Sequence, residues 1–303
     1  MTMVNWKNSL FVLLTPDALV RHLARPILER FHANGFVPQK YQLVYVTSED
    51  LDALYQINIE HVWDTYRYRL VDQLFNFGPC LVVLLTHNHL NGEDSHQRMK
   101  QMKGNSHPYK ALSGTIRHDF YGLNSILGLM HSSDTPEESE RESRIFFRSG
   151  RKFLQTSKME TDSTIWDLLE SFEMSYPKEM RDYDAVLAGL RAKIVVALWS
   201  ELTPTGREMV RSLQKQGIEA WVAPGTGKRL AEELLYGLKH PLAGILECEF
   251  LPDAPRLDMV SVETMLRGYG IEMDRWELLV LNTSMYFQPT RRRERHEILR
   301  ELF

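Results

Sequence analysis

Short apolar runs and stretches of helical spacing alternate along the first third of the chain. Residues 10–14 form a continuous apolar run that ends at Thr15-Pro16-Asp17, which predicts a buried strand stopped by a turn. Residues 41–46 and 80–85 are rich in β-branched, aromatic and other apolar side chains and predict two more strands. Apolar residues recur at helical spacing after each run, so the expected order up to Met102 is β-α-β-α-β-α.

Helix starts are marked by residues that cap the first turn. Thr47 and Ser48 stand before two acidic residues and predict the N-terminus of a helix. After His131, a polar run leads into Pro136 and further acidic residues, which predicts a helix that carries Glu142. A loop rich in Gly, Pro and Ser is predicted over residues 104–114, between the helix that starts near Ser48 and the segment that carries His131.

The C-terminal half repeats the alternation of apolar runs and helical spacing. Strands are predicted at residues 194–199, 218–223, 244–251 and 278–285. Helices are predicted near residues 204–216, 228–238, 260–267 and 291–302. Because this order matches the first half, we expect a second α/β domain, and the match suggests a diverged copy of the first. The expected domains are residues 1–148, a helical linker 149–192 and an α/β domain of unknown role at 193–303.

Composition and charge place the chain among ordinary globular proteins. Its 303 residues favour two domains, although one domain remains possible, and 43% hydrophobic residues can bury a core. A net charge of -4 gives no global attraction to nucleic acid or to an anionic membrane. Cys80 and Cys248 lack the spacing of a metal or redox motif, and no early apolar run is long enough to span a bilayer. We therefore expect a soluble cytoplasmic protein with free thiols.

One constellation carries a family signature. It comprises Gly114-Thr115-Ile116-Arg117-His118-Asp119-Phe120, then His131-Ser132-Ser133-Asp134-Thr135 and Glu142, with Gly78-Pro79 and Gly104-Asn105-Ser106-His107-Pro108 upstream. Over about residues 8–148 this pattern resembles the nucleoside diphosphate kinase family. The resemblance implies a ferredoxin-like antiparallel sheet covered by helices, an α/β (α+β) class, and it leaves the C-terminal half unassigned.

The chemistry of a phosphoryl relay suits these residues. The relay needs a nucleophile that is unprotonated near neutral pH, and the imidazole of His131 meets that need. A carboxylate on the following helix can fix the orientation and tautomer of the imidazole, and Glu142 resembles the family's residue in that role. The resemblance implies that Ser133 hydrogen-bonds Glu142 and that Tyr55 lies near the histidine and the phosphates.

Binding of the nucleotide falls to a second set of residues. By resemblance Arg117 and Ser106 contact phosphate, and Lys100 stands where the family has a second phosphate-binding arginine. An aromatic ring from Tyr66 or Tyr68 is expected to replace the family's phenylalanine under the base. No protein-bound metal is expected; Mg²⁺ is expected to arrive on the phosphates of the nucleotide.

Several positions depart from the family pattern. Thr15 replaces a lysine, Gly128 replaces an asparagine, Ser132 replaces a glycine, and one residue is inserted between Phe120 and His131. A charge-assisted hydrogen bond is worth roughly 1.5 to 3 kcal/mol, so several weakened contacts could slow an efficient kinase greatly.

Three functions follow as alternatives. The first is a nucleoside diphosphate kinase-like phosphotransferase that passes the γ-phosphate of ATP to a nucleoside diphosphate through a phosphohistidine. The second is a catalytically impaired nucleotide-binding, scaffolding or regulatory protein, and the third is an enzyme for an unusual phosphorylated metabolite. A homo-oligomer is expected, unless the second domain occupies one of the usual subunit contacts.

Three other patterns are set aside. Residues 223–229 look like a P-loop, but the spacing of the glycines fails and Arg229 stands where the motif has Ser or Thr, so a strand-to-helix turn is expected. His87-Asn88-His89 lacks a third ligand at metal-site spacing. The basic run at residues 291–295 is typical of a solvated helix face.

Overall fold

A computed structural model describes residues 4–87, 94–147 and 164–292 of the chain. The described residues form two compact units. The first contains residues up to 122 and from 126 to 180, and the second contains residues 123–125 and those from 181 onward. Where it is described, the region expected as a linker is therefore divided between the two units.

A four-stranded sheet forms the centre of the first unit. Its strands are β1 (Ser9–Leu14), β2 (Phe36–Val44), β3 (Cys80–His87) and β4 (Met130–Ser132). Their order is β2-β3-β1-β4, and every neighbouring pair is antiparallel. The predicted antiparallel sheet covered by helices is confirmed, and β4 lies at one edge of it.

The central strand β1 is buried along its whole length, which explains its continuous apolar sequence. Leu10, Val12 and Leu14 contribute to the core on one face of the sheet. On the other face the ring of Phe11 stacks on Phe146, with ring centroids 5.3 Å apart. Because both faces are covered, an alternation of apolar and polar residues never develops in this strand.

Among the described residues of the first unit, eight α-helices accompany the sheet. They are α1 (Pro16–Val20), α2 (Ala24–Ala33), α3 (Ser48–His61), α4 (Thr65–Phe75), α5 (Ser95–Lys103), α6 (Ile116–Asp119), α7 (Pro136–Phe146) and α8 (Ile165–Ser175). The caps agree with the sequence signals, because Thr47 forms a capping box with Asp50 and Thr135 accepts from the Glu138 amide. Helix α8 places Leu169 in the same core as β1.

The second unit is helical. Its helices are α9 (Tyr183–Ala197), α10 (Pro204–Gln216), α11 (Ile218–Trp221), α12 (Thr226–Glu232), α13 (Ala243–Glu247), α14 (Met259–Gly268) and α15 (Arg275–Ser284). Within its described residues the only β pairing is an isolated bridge between Leu202 and Leu234. The predicted helices near 204–216 and 260–267 are present, whereas the predicted helix at 291–302 lies almost wholly outside the described residues.

The predicted strands of the C-terminal half are wrong. Residues 194–199 and 278–285 lie mostly in α9 and α15, while α11 and α13 occupy the other two segments. A short apolar run fits a buried helix as well as a buried strand, and α9 is buried on several sides, with Val186, Leu187, Leu190 and Ile194 all enclosed. The idea of a second α/β domain copied from the first is therefore overturned.

A buried arginine ties the helices of the second unit together. Arg191 is 0% exposed and donates to the carbonyls of Leu246 and Trp221 and to the carboxylate of Glu249. The P-loop-like turn lies against this arginine, and it joins helix α11 to helix α12 rather than a strand to a helix. Gly227 of this turn thus serves packing within a helical unit.

Across the described ranges no helix combines the length and the apolar character needed to cross a membrane.

Candidate active site

His131 lies in the edge strand β4, opposite Leu13 of β1. The amide of Thr15 donates to the Leu129 carbonyl, and the amide of Ser133 donates to the Phe11 carbonyl. Because alternate residues of a strand turn their backbone groups the same way, His131 also faces β1 with its backbone. The carbonyls of Met130 and Ser132 consequently point outward from the edge of the sheet.

A buried carboxylate holds the imidazole of His131. Glu142 is 2% exposed, and its Oε2 atom lies 2.8 Å from His131 Nε2. Ser133 donates from its hydroxyl to the same Oε2 atom at 2.7 Å. Helix α7 makes this contact possible, because its cap at Thr135 starts the helix four residues after the histidine and turns Glu142 back toward β4.

The ionisation of Glu142 fixes the tautomer of His131. Burial alone would raise the pKa of Glu142, but His131, Ser133 and Arg141 together hold that pKa below its ordinary value. An ionised carboxylate only accepts hydrogen bonds, so Nε2 of a neutral His131 carries the proton. The lone pair then resides on Nδ1, which is the nitrogen available to attack an electrophile.

Tyr55 lies edge-on to the imidazole, with ring centroids 5.5 Å apart. The helix α3 that carries it departs from helical geometry at this residue (φ -107°, ψ 19°). Arg141 donates to the carbonyls of Ala53 and Leu54 immediately before the kink and to Glu142 Oε1 at 3.0 Å. Burial, and next the charge of Glu142, raise the pKa of Tyr55, so its hydroxyl stays neutral at neutral pH.

Arg117 lies beside β4 with its guanidinium directed at backbone carbonyls. It donates to Gly128 from Nε at 3.2 Å, to Gly104 from Nη1 at 3.1 Å and to Met130 from Nη2 at 3.2 Å. Burial lowers the pKa of Arg117 to about 10, which still leaves it charged at neutral pH. Three of its five N–H donors are therefore used by backbone carbonyls. One of these carbonyls belongs to Met130, the residue that precedes His131.

Lys103 is a site residue that the sequence analysis missed. It ends helix α5, and its Nζ atom lies 2.8 Å from Ser132 Oγ and 3.4 Å from the Ser132 carbonyl. The carboxylate of Asp134 lies 3.8 Å away. Nothing in the local sequence distinguishes Lys103 from the neighbouring Lys100; only the packing of α5 beside β4 does.

The remaining predicted nucleotide-binding residues lie farther out. Lys100 and Ser106 are exposed, the first on α5 and the second in the loop that follows it. Tyr68 donates to Asp52 Oδ1 at 2.7 Å and lines a pocket of about 520 Å³. That pocket is formed by Asp52, Gln56, Ile59, Glu60, Trp63, Asp64, Thr65 and Tyr68. Tyr66 is 52% exposed.

The departures at residues 15 and 128 have structural counterparts. The Thr15 hydroxyl donates to Asp17 Oδ1 at 2.6 Å, and the Leu129 amide donates to Asp17 Oδ2 at 3.2 Å. Gly128 offers its carbonyl to Arg117. Both positions thus support the turns around β4 through backbone or neutral groups and add no charge to the site.

No cluster of His, Cys, Asp or Glu with the makings of a metal site occurs among the residues that the structure describes. The described member of the histidine pair, His87, contacts the carbonyl of Asn34 through Nε2 and packs edge-on against Phe36. The other member of that pair lies outside the described residues.

Comparison with known proteins assigns a family to this region. The family described as Nucleoside diphosphate kinase matches residues 8–151. A nucleoside diphosphate kinase of Methanocaldococcus jannaschii is 31% identical over 147 residues, which are 48% of this chain and 98% of that protein. One from Herpetosiphon aurantiacus is 36% identical over 138 residues, or 46% of this chain and 86% of that protein.

Among solved structures, the apo nucleoside diphosphate kinase of Encephalitozoon cuniculi gives a TM-score of 0.41 at 24% identity, over 50% of this chain and 96% of that one. No match extends over the C-terminal half. The identity over nearly the whole length of the relatives, together with the matched residues around His131, shows that the chain belongs to the nucleoside diphosphate kinase family.

Proposed function

We propose that this protein is a phosphotransferase that moves the γ-phosphate of ATP to a nucleoside diphosphate through a phosphohistidine at His131. The observation that carries the proposal is the His131–Glu142–Ser133 arrangement, in which an ionised, buried carboxylate holds Nε2 and leaves the Nδ1 lone pair to react. The nucleotide enters as its Mg²⁺ complex, so the metal is part of the substrate.

The first half-reaction forms the phosphoenzyme. Nδ1 of His131 attacks the γ-phosphorus, a P–N bond forms, and the bond from that phosphorus to the bridging oxygen breaks so that ADP leaves with the electron pair. The Nε2 proton remains between His131 and Glu142, which stabilises the positive charge that the ring gains. Arg117 contributes positive charge beside β4 at the stage when charge spreads over the phosphoryl oxygens.

The second half-reaction reverses these events with a different nucleotide. A terminal phosphate oxygen of the nucleoside diphosphate attacks the phosphorus, and the P–N bond breaks to return its electrons to Nδ1. His131 is neutral again, and a nucleoside triphosphate leaves. Because the two half-reactions are chemically equivalent, the same Glu142 contact serves both of them.

The proposed roles for the outer residues follow from reach and charge. Lys100 on helix α5 and Ser106 in the loop after it are both exposed, so they are available to phosphates. Tyr68 and Tyr66 are candidates for stacking on the base. A homo-oligomer and a cytoplasmic location remain part of the proposal, as expected for the family.

A second candidate function is a nucleotide-binding protein with impaired turnover. Two observations favour it: Thr15 gives its hydroxyl to Asp17, and Arg117 commits three donors to carbonyls. In that case ADP and ATP would bind with affinity similar to that of an active enzyme, and the phosphoryl group would not move.

Incubation with γ-³²P-labelled ATP and Mg²⁺ tests the proposal. We expect a label that is labile in acid and stable in alkali, and that transfers to added nucleoside diphosphate. His131→Ala should abolish the label while changing ADP affinity less than about tenfold, because His131 acts in chemistry more than in ground-state binding. His118→Ala is the control and should label normally. Nucleotide binding without any label in the wild type would select the impaired alternative.

A further inference from the structure

The outer edge of β4 carries two cations, which contact the backbone carbonyls of the residues before and after His131. The carbonyls of Met130 and Ser132 point away from β1, since His131 between them faces that strand. Arg117 donates to the Met130 carbonyl, and Lys103 donates to the Ser132 carbonyl and hydroxyl. Residues two apart along a strand are separated by about 7 Å. The transferred phosphoryl group and the adjacent phosphate of the nucleotide can together span this distance.

We infer that Lys103 is the cation that binds the phosphoryl group passing through His131, and that it compensates for the threonine at position 15. This inference rests on the proposed phosphotransfer function and names an additional substrate-contacting residue within it.

Geometry and donor number support the assignment. An ammonium group has three N–H donors, and Ser132 occupies two of them at most. The third is free to meet a phosphate oxygen without loss of either protein contact. Asp134 is the one carboxylate in ion-pair range among the described residues, and at 3.8 Å and 59% exposure it is a weak competitor.

Two departures from the family then have one explanation. Ser132 stands where the family has glycine, and its hydroxyl is the closest partner of Lys103. A glycine there would leave the ammonium with the carbonyl alone. The serine therefore fixes the head of Lys103 one residue from His131, while the threonine at position 15 is free to support Asp17 instead.

The surroundings of Lys103 disfavour its charged form unless an anion is bound nearby. Burial, and next the positive charge of Arg117, lower the pKa of Lys103 to about 8, although the nearby carboxylates of Asp134 and Glu142 act in the opposite direction. A dianionic phosphoryl group would relieve this cost, so binding of phosphate and protonation of Lys103 favour each other.

The test measures single-turnover formation of phosphoenzyme from MgATP in Lys103→Met and Lys103→Arg. We expect Lys103→Met to slow labelling at least 30-fold and Lys103→Arg to stay within about fivefold of wild type. Lys40→Met is the matched control, because Lys40 lies on β2 at the opposite edge of the sheet, over the ring of Phe147. It should label at the wild-type rate.

Thr15→Lys makes the inference specific. In the Lys103→Met background it should restore labelling by tenfold or more, whereas in the wild type it should raise the rate less than threefold. A Lys103→Met variant that labels within threefold of wild type, together with a tenfold gain from Thr15→Lys alone, would overturn the inference. Thermal melting of each variant shows whether a slow variant is folded.

The wild type separates the two proposals. If it forms no phosphoenzyme, the phosphotransfer function fails, and titration with MgATP, which carries the γ-phosphate, then decides the role of Lys103. A tenfold loss of MgATP affinity in Lys103→Met, with Lys40→Met unchanged, would still assign Lys103 to phosphate binding. Unchanged affinity in both variants would refute it.

Discussion

Arg141 Nη2 lies 3.0 Å from Glu142 Oε1, the carboxylate oxygen that His131 does not use. Arg141 also donates to the carbonyls of Ala53 and Leu54, just before the kink at Tyr55. One guanidinium therefore joins the carboxylate that orients the nucleophile to the backbone that places the neighbouring aromatic ring. This link predicts that Arg141 is a positioning residue whose loss disturbs both.

Removal of the Arg141 charge should alter the pH dependence of phosphoenzyme formation. In Arg141→Met the pKa of Glu142 should rise, because one of the groups that lower it is gone. The acid limb of the rate profile should then move to higher pH, with a rate loss of about three- to tenfold at neutral pH. Arg144→Met, on the exposed side of the same helix, is the control. An equal rate loss at every pH would indicate a purely structural role.

Glu142→Gln tests the tautomer directly. A glutamine can present its amide N–H to His131 Nε2, which would move the imidazole proton to Nδ1 and block the nucleophile. We expect phosphoenzyme formation to fall on the order of 10²- to 10⁴-fold, with ADP affinity nearly unchanged. Ser133→Ala leaves the carboxylate in place and should cost about tenfold or less. Equal losses in the two variants would contradict the assigned roles.

The N-terminal fold could be predicted because its local signals and its tertiary packing agree. The run at residues 10–14 is a strand buried on both faces, and the caps at Thr47 and Thr135 start the expected helices. In the second unit the apolar runs belong to helices enclosed by other helices, so their periodicity disappears. The caps at Asp182 and Asp274 were the signals that could have identified α9 and α15 as helices.

The candidate site divides along the same line. His131, Ser133 and Glu142 follow from a motif, because a strand, a turn and one helix bring them together. Lys103 does not, because its position depends on how α5 packs beside an edge strand that comes almost thirty residues later in the chain. Long-range contacts of this kind leave no periodic mark in a single sequence.

Labelling should also fall at alkaline pH if Lys103 binds phosphate. Burial and the positive charges of Arg117 and Lys100 lower the pKa of Lys103 to about 8, while the carboxylates of Asp134 and Glu142 act to raise it. The free enzyme therefore loses the Lys103 charge as the pH rises through about 8, and the rate of labelling at low MgATP should decline with it. In Lys103→Arg this decline should disappear, since a guanidinium keeps its charge.

Stability should change in the opposite sense over the same range. The pKa of Lys103 is lower in the folded protein than its ordinary value of 10.5, so the unfolded chain binds more protons between these two pH values. The free energy of unfolding contributed by this residue therefore rises as the pH increases from about 8. Urea unfolding at pH 7 and pH 9.5 should show that the advantage of Lys103→Met over wild type shrinks at the higher pH. A constant difference would mean that Lys103 titrates normally.

The last prediction concerns the second unit and its P-loop-like turn. A Cβ atom at Gly227 would lie 2.2 Å from the Leu246 carbonyl oxygen and 2.6 Å from Arg191 Nη2. That carbonyl accepts from Arg191, which is wholly buried, so neither neighbour can move without breaking the network. Gly227→Ala should destabilise the second unit by about 2 to 4 kcal/mol.

Gly244→Ala is the matched control, because Gly244 is an exposed helical position with no atom within 4 Å of the added Cβ, and it should stabilise by about 0.5 to 1 kcal/mol. Urea unfolding followed by tryptophan fluorescence measures both. Under native conditions ATP affinity should be the same in the two variants, because Gly227 packs against Arg191. A stable Gly227→Ala protein with weakened ATP binding would instead assign the turn to a nucleotide.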